Sequence, residues 1–267
     1  MGKDWPIDAI RHLVAAALPD FSAEVVAEID STNSELMRRA RSGRHAPTLL
    51  VAEHQTAGRG RLGRSWFSGA TDADKGAAQP GPSGHAASLT FSLALALEPN
   101  DWSGMSLAVG VSVVQSLHPG LRLKWPNDIW LDERKLAGIL IETAVFGEQR
   151  IAVVGVGINI RPRSALGLST PPAWLQERLP ETEAPAVLLR VVPALVQALL
   201  LFQEQGFAPF QAAFDARDLL RARPVVLSDG TQGTACGVDS TGALLVHTSA
   251  GMKAIASAEV SVRPGGE

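Results

Sequence analysis

At 267 residues, 46% hydrophobic and 19% charged, the chain has enough apolar material for one large domain and a small one, and reads as a globular protein. A formal net charge of -3 excludes bulk attraction to nucleic acid, so any basic function is local. One cysteine, Cys236, excludes an intramolecular disulfide framework and fits a reducing, cytoplasmic compartment; the six histidines show none of the short paired spacings of a zinc site. The amino terminus "MGKDWPIDAIRHLVAAALPD" has acids on both sides of a short apolar run, unlike a signal peptide. No apolar stretch is read as reaching bilayer length, so no membrane partner is expected.

In chain order, residues 7 to 18 have a helical pattern that ends before Pro19. "STNSELMRRARSG" predicts a second helix, capped by Ser31, closed by Gly43 and facing inward through Leu36, Met37 and Ala40. "TLLVAEH" predicts a short buried strand. Residues 70 to 87 are rich in Ala, Gly and Pro and poor in large apolar groups, as expected of a mobile loop. "SLTFSLALAL" resumes as a strand, and residues 103 to 117 suit a helix packed on a sheet.

"LRLKWPNDIWL" alternates, so Leu121, Leu123 and Trp125 face one way while Arg122 and Lys124 face the other. Pro126 limits the strand, and Asn127-Asp128 is turn chemistry. "IWL" and "LAGILIETAV" predict two more strands, joined by the charged turn "DERK", and the nearly continuous apolar run "RIAVVGVGINI" predicts a central one. Strands that follow one another through turns imply an α+β fold with a mixed, mainly antiparallel sheet, not a doubly wound one. Helices are expected over 183–205 and 207–216, then a small barrel of short strands and Gly-containing turns. The expected division is 1–218 and 219–267.

"GRGRLGRSW", residues 58–66, fits both G-x-G-x-x-G and a Walker A loop with Arg64 in the lysine position. Both motifs need a helix directly after the last glycine, and "RSWFSGATDADKG" is too rich in Gly, Ser and Asp to make one. The physics that survives is a backbone free to wrap a ligand, with Arg59, Arg61 and Arg64 as planar, permanently charged donors. Three readings stay open on composition: an anion-holding loop, a solvated arginine loop, or an RNA-binding tract with Trp66 as a stacking platform.

Four ordered stretches, the loop among them, narrow the choice. "STN" at 31–33, "AEHQTAGRGRLGRSWFS" at 52–68, "LKWPNDIWLDERKLAGILIE" at 123–142 and "VVGVGINI" at 153–160 resemble, in order and spacing, the signature segments of biotin protein ligases. "GVDSTGALLV" at 237–246 resembles that family's carboxy-terminal barrel. The resemblance implies an α+β catalytic domain related to class II aminoacyl-tRNA synthetases and lipoate ligases, followed by an SH3-like domain. It implies a two-step reaction: biotin and ATP form biotinyl-adenylate and pyrophosphate, then a lysine of an acceptor domain attacks the mixed anhydride.

By the same resemblance, Lys124, one of five lysines, contacts the biotin carboxylate and the α-phosphate. With Arg61 it is the expected catalytic cation. Ser31, Thr32 and Gln55 would bond the ureido ring of biotin, joined around the ligand by Asn33, Gly58, Arg59, Arg61 and Gly138. Arg59, Arg61, Arg64, Trp66, Asn127, Lys135 and Asn159 would border ATP and the adenylate, with Gly155 and Gly157 on the adjoining strand. Each has a plainer alternative: an exposed strand lysine at Lys124, a helix cap at Ser31, a turn former at Asn127, core packing at Trp66. Magnesium is expected with ATP, held by phosphate oxygens and water. The expected partner is a biotin carboxyl carrier protein of acetyl-CoA carboxylase or a related carboxylase, served by a monomer or homodimer. The segment before Glu28 is too short for a helix-turn-helix domain, so no specific DNA partner is expected. Competing functions are a lipoate ligase on the same scaffold and a noncatalytic biotin- or nucleic-acid-binding protein.

Overall fold

Alternation and small residues divide the main sheet into two unlike faces. The computed structural model describes residues 5–68, 87–162, 172–256 and 263–264. The segment expected to be a mobile loop, residues 70 to 87, lies outside the described residues except for Ala87. The first half of the chain forms α1 (Ile7–Val14), β1 (Ser22–Ile29), α2 (Thr32–Arg41), β2 (Thr48–Gln55), β3 (Ser88–Ala96) and α3 (Met105–Leu117). Then come β4 (Arg122–Lys124), β5 (Asp128–Leu131), β6 (Arg134–Phe146) and β7 (Gln149–Asn159), followed by α4 (Ala184–Gln205) and α5 (Gln211–Asp215). The seven strands lie in the order β1-β2-β3-β7-β6-β5-β4. Only the β1–β2 pair is parallel, so the sheet is mixed and mainly antiparallel, with the "RIAVVGVGIN" strand at its centre.

One face of this sheet carries Leu49, Val51, Phe91, Leu93, Val154, Val156, Ile139 and Ile129, all buried against α1, α3 and α4. The other face carries α2 over part of its area: Leu36, Met37 and Ala40 pack on Leu50, Ala94, Ala144, Ile151 and Val153. The rest of that face bears small and polar residues, and several of the side chains singled out in the sequence gather there. Strands β8 (Pro224–Val226), β9 (Gln232–Val238), β10 (Leu244–Thr248), β11 (Gly251–Ile255) and β12 (Arg263–Pro264) form a second, antiparallel sheet in the order β11-β10-β9-β8-β12.

Two elements depart from the sequence reading. β1 was not expected as a strand. "SAEVVAEI" carries two glutamates and two alanines, weak strand formers, and as an edge strand it buries Ala23 alone. Helix α4, with 22 residues, is long and apolar enough to cross a bilayer, which corrects the expectation that no stretch reaches that length. Arg190 and Pro193 interrupt the apolar run in sequence. In the fold Val187, Leu188, Val191, Val192, Leu195, Leu199 and Phe202 are buried in the core shared with α1, α3 and β3.

The segment after α5 runs beside β4, where Leu123 N donates to Arg217 O at 2.9 Å and Leu219 N to Leu123 O at 2.8 Å. Asp218, between them, is 9% exposed; its Oδ1 accepts from Leu220 N at 2.8 Å and its Oδ2 has no protein partner. Burial pushes this carboxyl up to about 6, against the Leu220 bond, which lowers it, and helped by the nearby Asp215. The folded state therefore holds the Asp218 proton more tightly than the unfolded chain, whose carboxyl titrates near ~3.9. Stability from this group is greatest at low pH and falls as pH rises from about 4 to about 6, by on the order of 3 kcal/mol. Asparagine keeps the acceptor for Leu220 N without the charge. Asp218→Asn is expected to raise the melting temperature at pH 8 by several degrees and to flatten its fall between pH 4 and 6. A lower melting temperature at pH 8 would contradict this account.

Candidate active site

Register fixes which residues share the open face: Lys124 pairs with Asp128, Asp128 with Gly138, Gly138 with Gly157, and Gly157 with Thr90. One step along, Leu140, Gly155 and Ser92 lie side by side. The two glycines of β7 are needed for space. A Cβ on Gly157 would lie 2.3 Å from Trp66 Cε2, and one on Gly155 would lie 2.2 Å from Asn33 Oδ1. The open face is thus a shallow bed on which Asn33 from α2 and Trp66 from the arginine-glycine loop rest directly on backbone.

Ser31, Thr32 and Asn33 reach this bed because a helix starts there. Ser31 is extended, at φ -159° and ψ 132°, and its Oγ accepts from Ser34 N at 3.4 Å, a cap that leaves its own hydrogen to donate. Asp30 accepts from Ser31 N at 2.7 Å and is itself gripped by Arg38, which holds its carboxyl at about 2. Thr32 N donates to Gln55 Oε1 at 2.8 Å. Thr32 Oγ1 lies 3.1 Å from Gln55 Oε1 and 2.7 Å from Ser92 Oγ, while Ser92 Oγ donates to Asn33 Oδ1 at 2.6 Å. Ser92 has one hydrogen, and the Asn33 bond uses it. Thr32 is therefore the donor in the Thr32–Ser92 contact, and its single hydroxyl hydrogen is shared between Ser92 Oγ and Gln55 Oε1. Asn33 Nδ2 donates to Leu140 O at 3.2 Å and to Glu142 Oε2 at 3.1 Å. Asn33 thereby braces the bed through all its polar atoms.

The loop is tied down at both ends. Trp66 N donates to Gly58 O at 2.8 Å and Gly60 N to Arg64 O at 2.7 Å, folding residues 58–66 back on themselves. A Cβ on Gly58 would lie 2.3 Å from Trp66 O, so this turn requires glycine. Ser68 Oγ accepts from Gln55 N at 2.7 Å. Arg59 reaches Glu142 Oε1 at 2.9 Å and Ser34 Oγ at 3.3 Å. Arg61 donates to Asn127 Oδ1 at 3.4 Å; burial lowers its pKa, opposed by the charge of Asp128 and assisted by that of Arg64. Arg64 is exposed, and Leu62 at the loop tip holds φ 55° and is 73% exposed.

The third group is cationic. Lys124 Nζ sits 4.4 Å over the Trp130 ring, an attraction of roughly 0.5–2 kcal/mol. Lys135 Nζ pairs with Asp128 at 2.7 Å and lies beside Gly138. Asn127 is more than a turn former: its backbone O accepts from Ile139 N, its Nδ2 donates to Ile139 O, and its Oδ1 accepts from Arg61. Asn159 is buried farther along β7, its Nδ2 donating to Ala173 O at 3.0 Å.

The sequence reading missed Ser92, Ser68, Thr90 and Glu142. Two signals pointed to them. Ser88, Thr90 and Ser92 are hydroxyls in phase on an otherwise apolar strand, and all three are buried, so each needs a partner. Glu142 is the one acid in the strand "RKLAGILIETAVF".

This arrangement has known counterparts. Residues 84–159 match the biotin/lipoate A/B protein ligase family and residues 224–263 match the biotin protein ligase C terminal domain. The bifunctional ligase/repressor BirA of Escherichia coli K12 is 36% identical over 91% of this chain and 74% of its own length. The biotin--[acetyl-CoA-carboxylase] ligase of Paracoccus denitrificans is 34% identical over 88% of this chain and 98% of its own. The structure of biotin protein ligase from Aquifex aeolicus in complex with biotin and ATP superposes with a TM-score of 0.72 at 28% identity, covering 91% of this chain and 99% of that one. With an ordered set of motifs, a matching fold and a relative this similar over most of its length, the chain belongs to the biotin protein ligase family.

Proposed function

We propose that this chain activates biotin with ATP to biotinyl-5'-AMP and transfers the biotinyl group to a lysine of a biotin carboxyl carrier domain. The observation that carries this reading is one sheet face that joins a neutral hydrogen-bonding bed to a group of cations. A ureido ring needs both donors and acceptors, which Ser31, Thr32 and Gln55 supply from buried positions. The names of the relatives and the ligands of the Aquifex aeolicus structure point the same way.

In the first step a carboxylate oxygen of biotin attacks the α-phosphorus of ATP, the new P–O bond forms, the bond to the β-phosphate oxygen breaks, and pyrophosphate leaves with its electron pair. Both reactants are anions. Lys124, Lys135 and Arg61, already fixed in place, offset that repulsion and the charge that grows in the transition state. In the second step a neutral lysine amine attacks the acyl carbon, AMP leaves, and the amine gives up its extra proton. Trp66 and the folded loop shield the mixed anhydride from water until then. Among the described residues no three His, Cys, Asp or Glu side chains converge on a metal position. A magnesium ion arriving with the nucleotide would be held by phosphate oxygens and water, where it would neutralise part of the phosphate charge.

The catalytic unit is placed at residues 1–218 and the small unit at 219–267. The supporting features are the end of α5 at Asp215, the start of β8 at Pro224 and the C-terminal family match from residue 224.

Exchange of labelled pyrophosphate into ATP, run with biotin and separately with lipoate, tests the reading; exchange with lipoate alone would replace it with the lipoate-ligase alternative. In the same assay Lys124→Ala is expected to keep its fold and to slow exchange at least about a hundredfold, the scale for losing a preorganised charge at such a transition state. Near-normal exchange would remove Lys124 from the mechanism. Arg61→Gly adds backbone freedom and removes a charged contact, so release of biotinyl-adenylate should rise about ten- to a hundredfold with a smaller effect on its formation. Escaped adenylate acylates any accessible amine, and the variant should label albumin that the parent leaves nearly unmodified. Unchanged release with unlabelled albumin would mean that Arg61 serves substrate capture instead.

A further inference from the structure

We propose that Glu142 is a positioning residue whose carboxylate couples the arginine-glycine loop to the biotin-binding bed. The inference rests on the ligase reading above and adds to it the residue that closes the "LKWPNDIWLDERKLAGILIE" segment, to which the sequence reading gave no role. Glu142 lies on the open face of β6 with its side chain 21% exposed, and each of its oxygens has a different task. Oε2 accepts from Asn33 Nδ2 at 3.1 Å, and Oε1 accepts from Arg59 at 2.9 Å.

The consequences follow from what those two partners do. Asn33 cannot turn without losing Ser92, Leu140 and Glu142 together, so the Oε2 contact is anchored to the floor of the bed. Arg59 opens the loop, and the same guanidinium touches Ser34 in the first turn of α2. One carboxylate therefore spans the sheet, the helix start that carries Ser31 and Thr32, and the loop that carries Arg61 and Trp66. The other end of the loop is fixed at Ser68 to Gln55, whose side chain also bonds Thr32. Any shift of the bed is thus passed to the loop from both ends. A surface ion pair with a purely structural role would lower stability and leave ligand retention alone; a coupling residue changes retention through Arg59.

The test is release of biotinyl-adenylate from the preformed complex, measured for Glu142→Gln, Arg59→Ala and the double variant. Glutamine keeps an acceptor for Asn33 and removes the charge facing Arg59. Glu142→Gln is expected to speed release on the order of tenfold and, in the Arg59→Ala background, to add less than twofold. The exchanged pair Arg59→Glu with Glu142→Arg should retain adenylate better than either half alone, which keeps the idea testable if one single variant folds poorly. Release within twofold of the parent in a folded Glu142→Gln protein overturns the proposal, as does a double variant whose effects multiply. Failure of the parent to form adenylate in pyrophosphate exchange would instead count against the ligase reading itself. In that event, melting temperatures that show no coupling between residues 59 and 142 would remove the pair as well.

Discussion

Gly155 and Gly157 leave the centre of the open sheet face without side chains, and the rest of the site depends on that space. Any larger residue would drive Asn33 or Trp66 off the strand, since both come closer than real Cβ contacts allow. With the bed flat, α2 can bring its first turn down to hydrogen-bonding distance of β3 and β6, and the loop can lay an indole across β7. The other face of the same strands is wholly committed to the core, with Val154, Val156 and Ile158 buried. β7 therefore alternates between two incompatible demands, bulk on one side and absence of bulk on the other. The sequence "VVGVGIN" meets both.

The charged side chains show a second economy. Lys135 stands against Asp128, Arg61 near Asp128 and against Asn127, and Lys124 over an indole. Each cation is thus held in a defined place by a partner that is weaker than, or replaceable by, a phosphate. Exposed pairs of this sort contribute roughly 0–1 kcal/mol to stability, so little is lost when a partner is exchanged for a ligand. Their value lies in orientation: charges already aimed at the site need no reorganisation as negative charge develops.

The sequence disclosed the parts of this design that repeat or punctuate, and hid those that depend on long-range contact. Alternation over Leu121 to Trp125, the cap at Ser31 and the apolar run of β7 were legible because each is a local pattern. β1 was not, since its strand character comes from pairing with β2 more than from its own residues. The helix over 183–205 was legible and matches α4; its apolar length was passed over because Arg190 and Pro193 interrupt the run in sequence, although burial along one side carries the helix through both. Among site residues, those in glycine- and arginine-rich segments stood out by composition. Glu142 and Ser92 did not, because a lone acid or hydroxyl on a strand means little until register places it beside Asn33.

The second sheet bears on the chemistry as well. Trp125, the residue after Lys124, is buried, and its Nε1 donates to Gly242 O at 3.1 Å in the turn between β9 and β10. On the other side of β4, Arg217 and Leu219 hydrogen-bond the backbone of Leu123, and Arg223 grips Glu133 at the β5–β6 turn through both carboxylate oxygens. β4 is only three residues long and lies at the edge of the main sheet, so pairing with β5 alone would give it little rigidity. The contacts from the carboxy-terminal segment supply the rest. They reach the strand on both sides of Lys124 and never touch the lysine through the bonds named here, so they hold the backbone still while leaving the ammonium able to change partners. Residues outside the bed thus help to fix the backbone from which Lys124 projects.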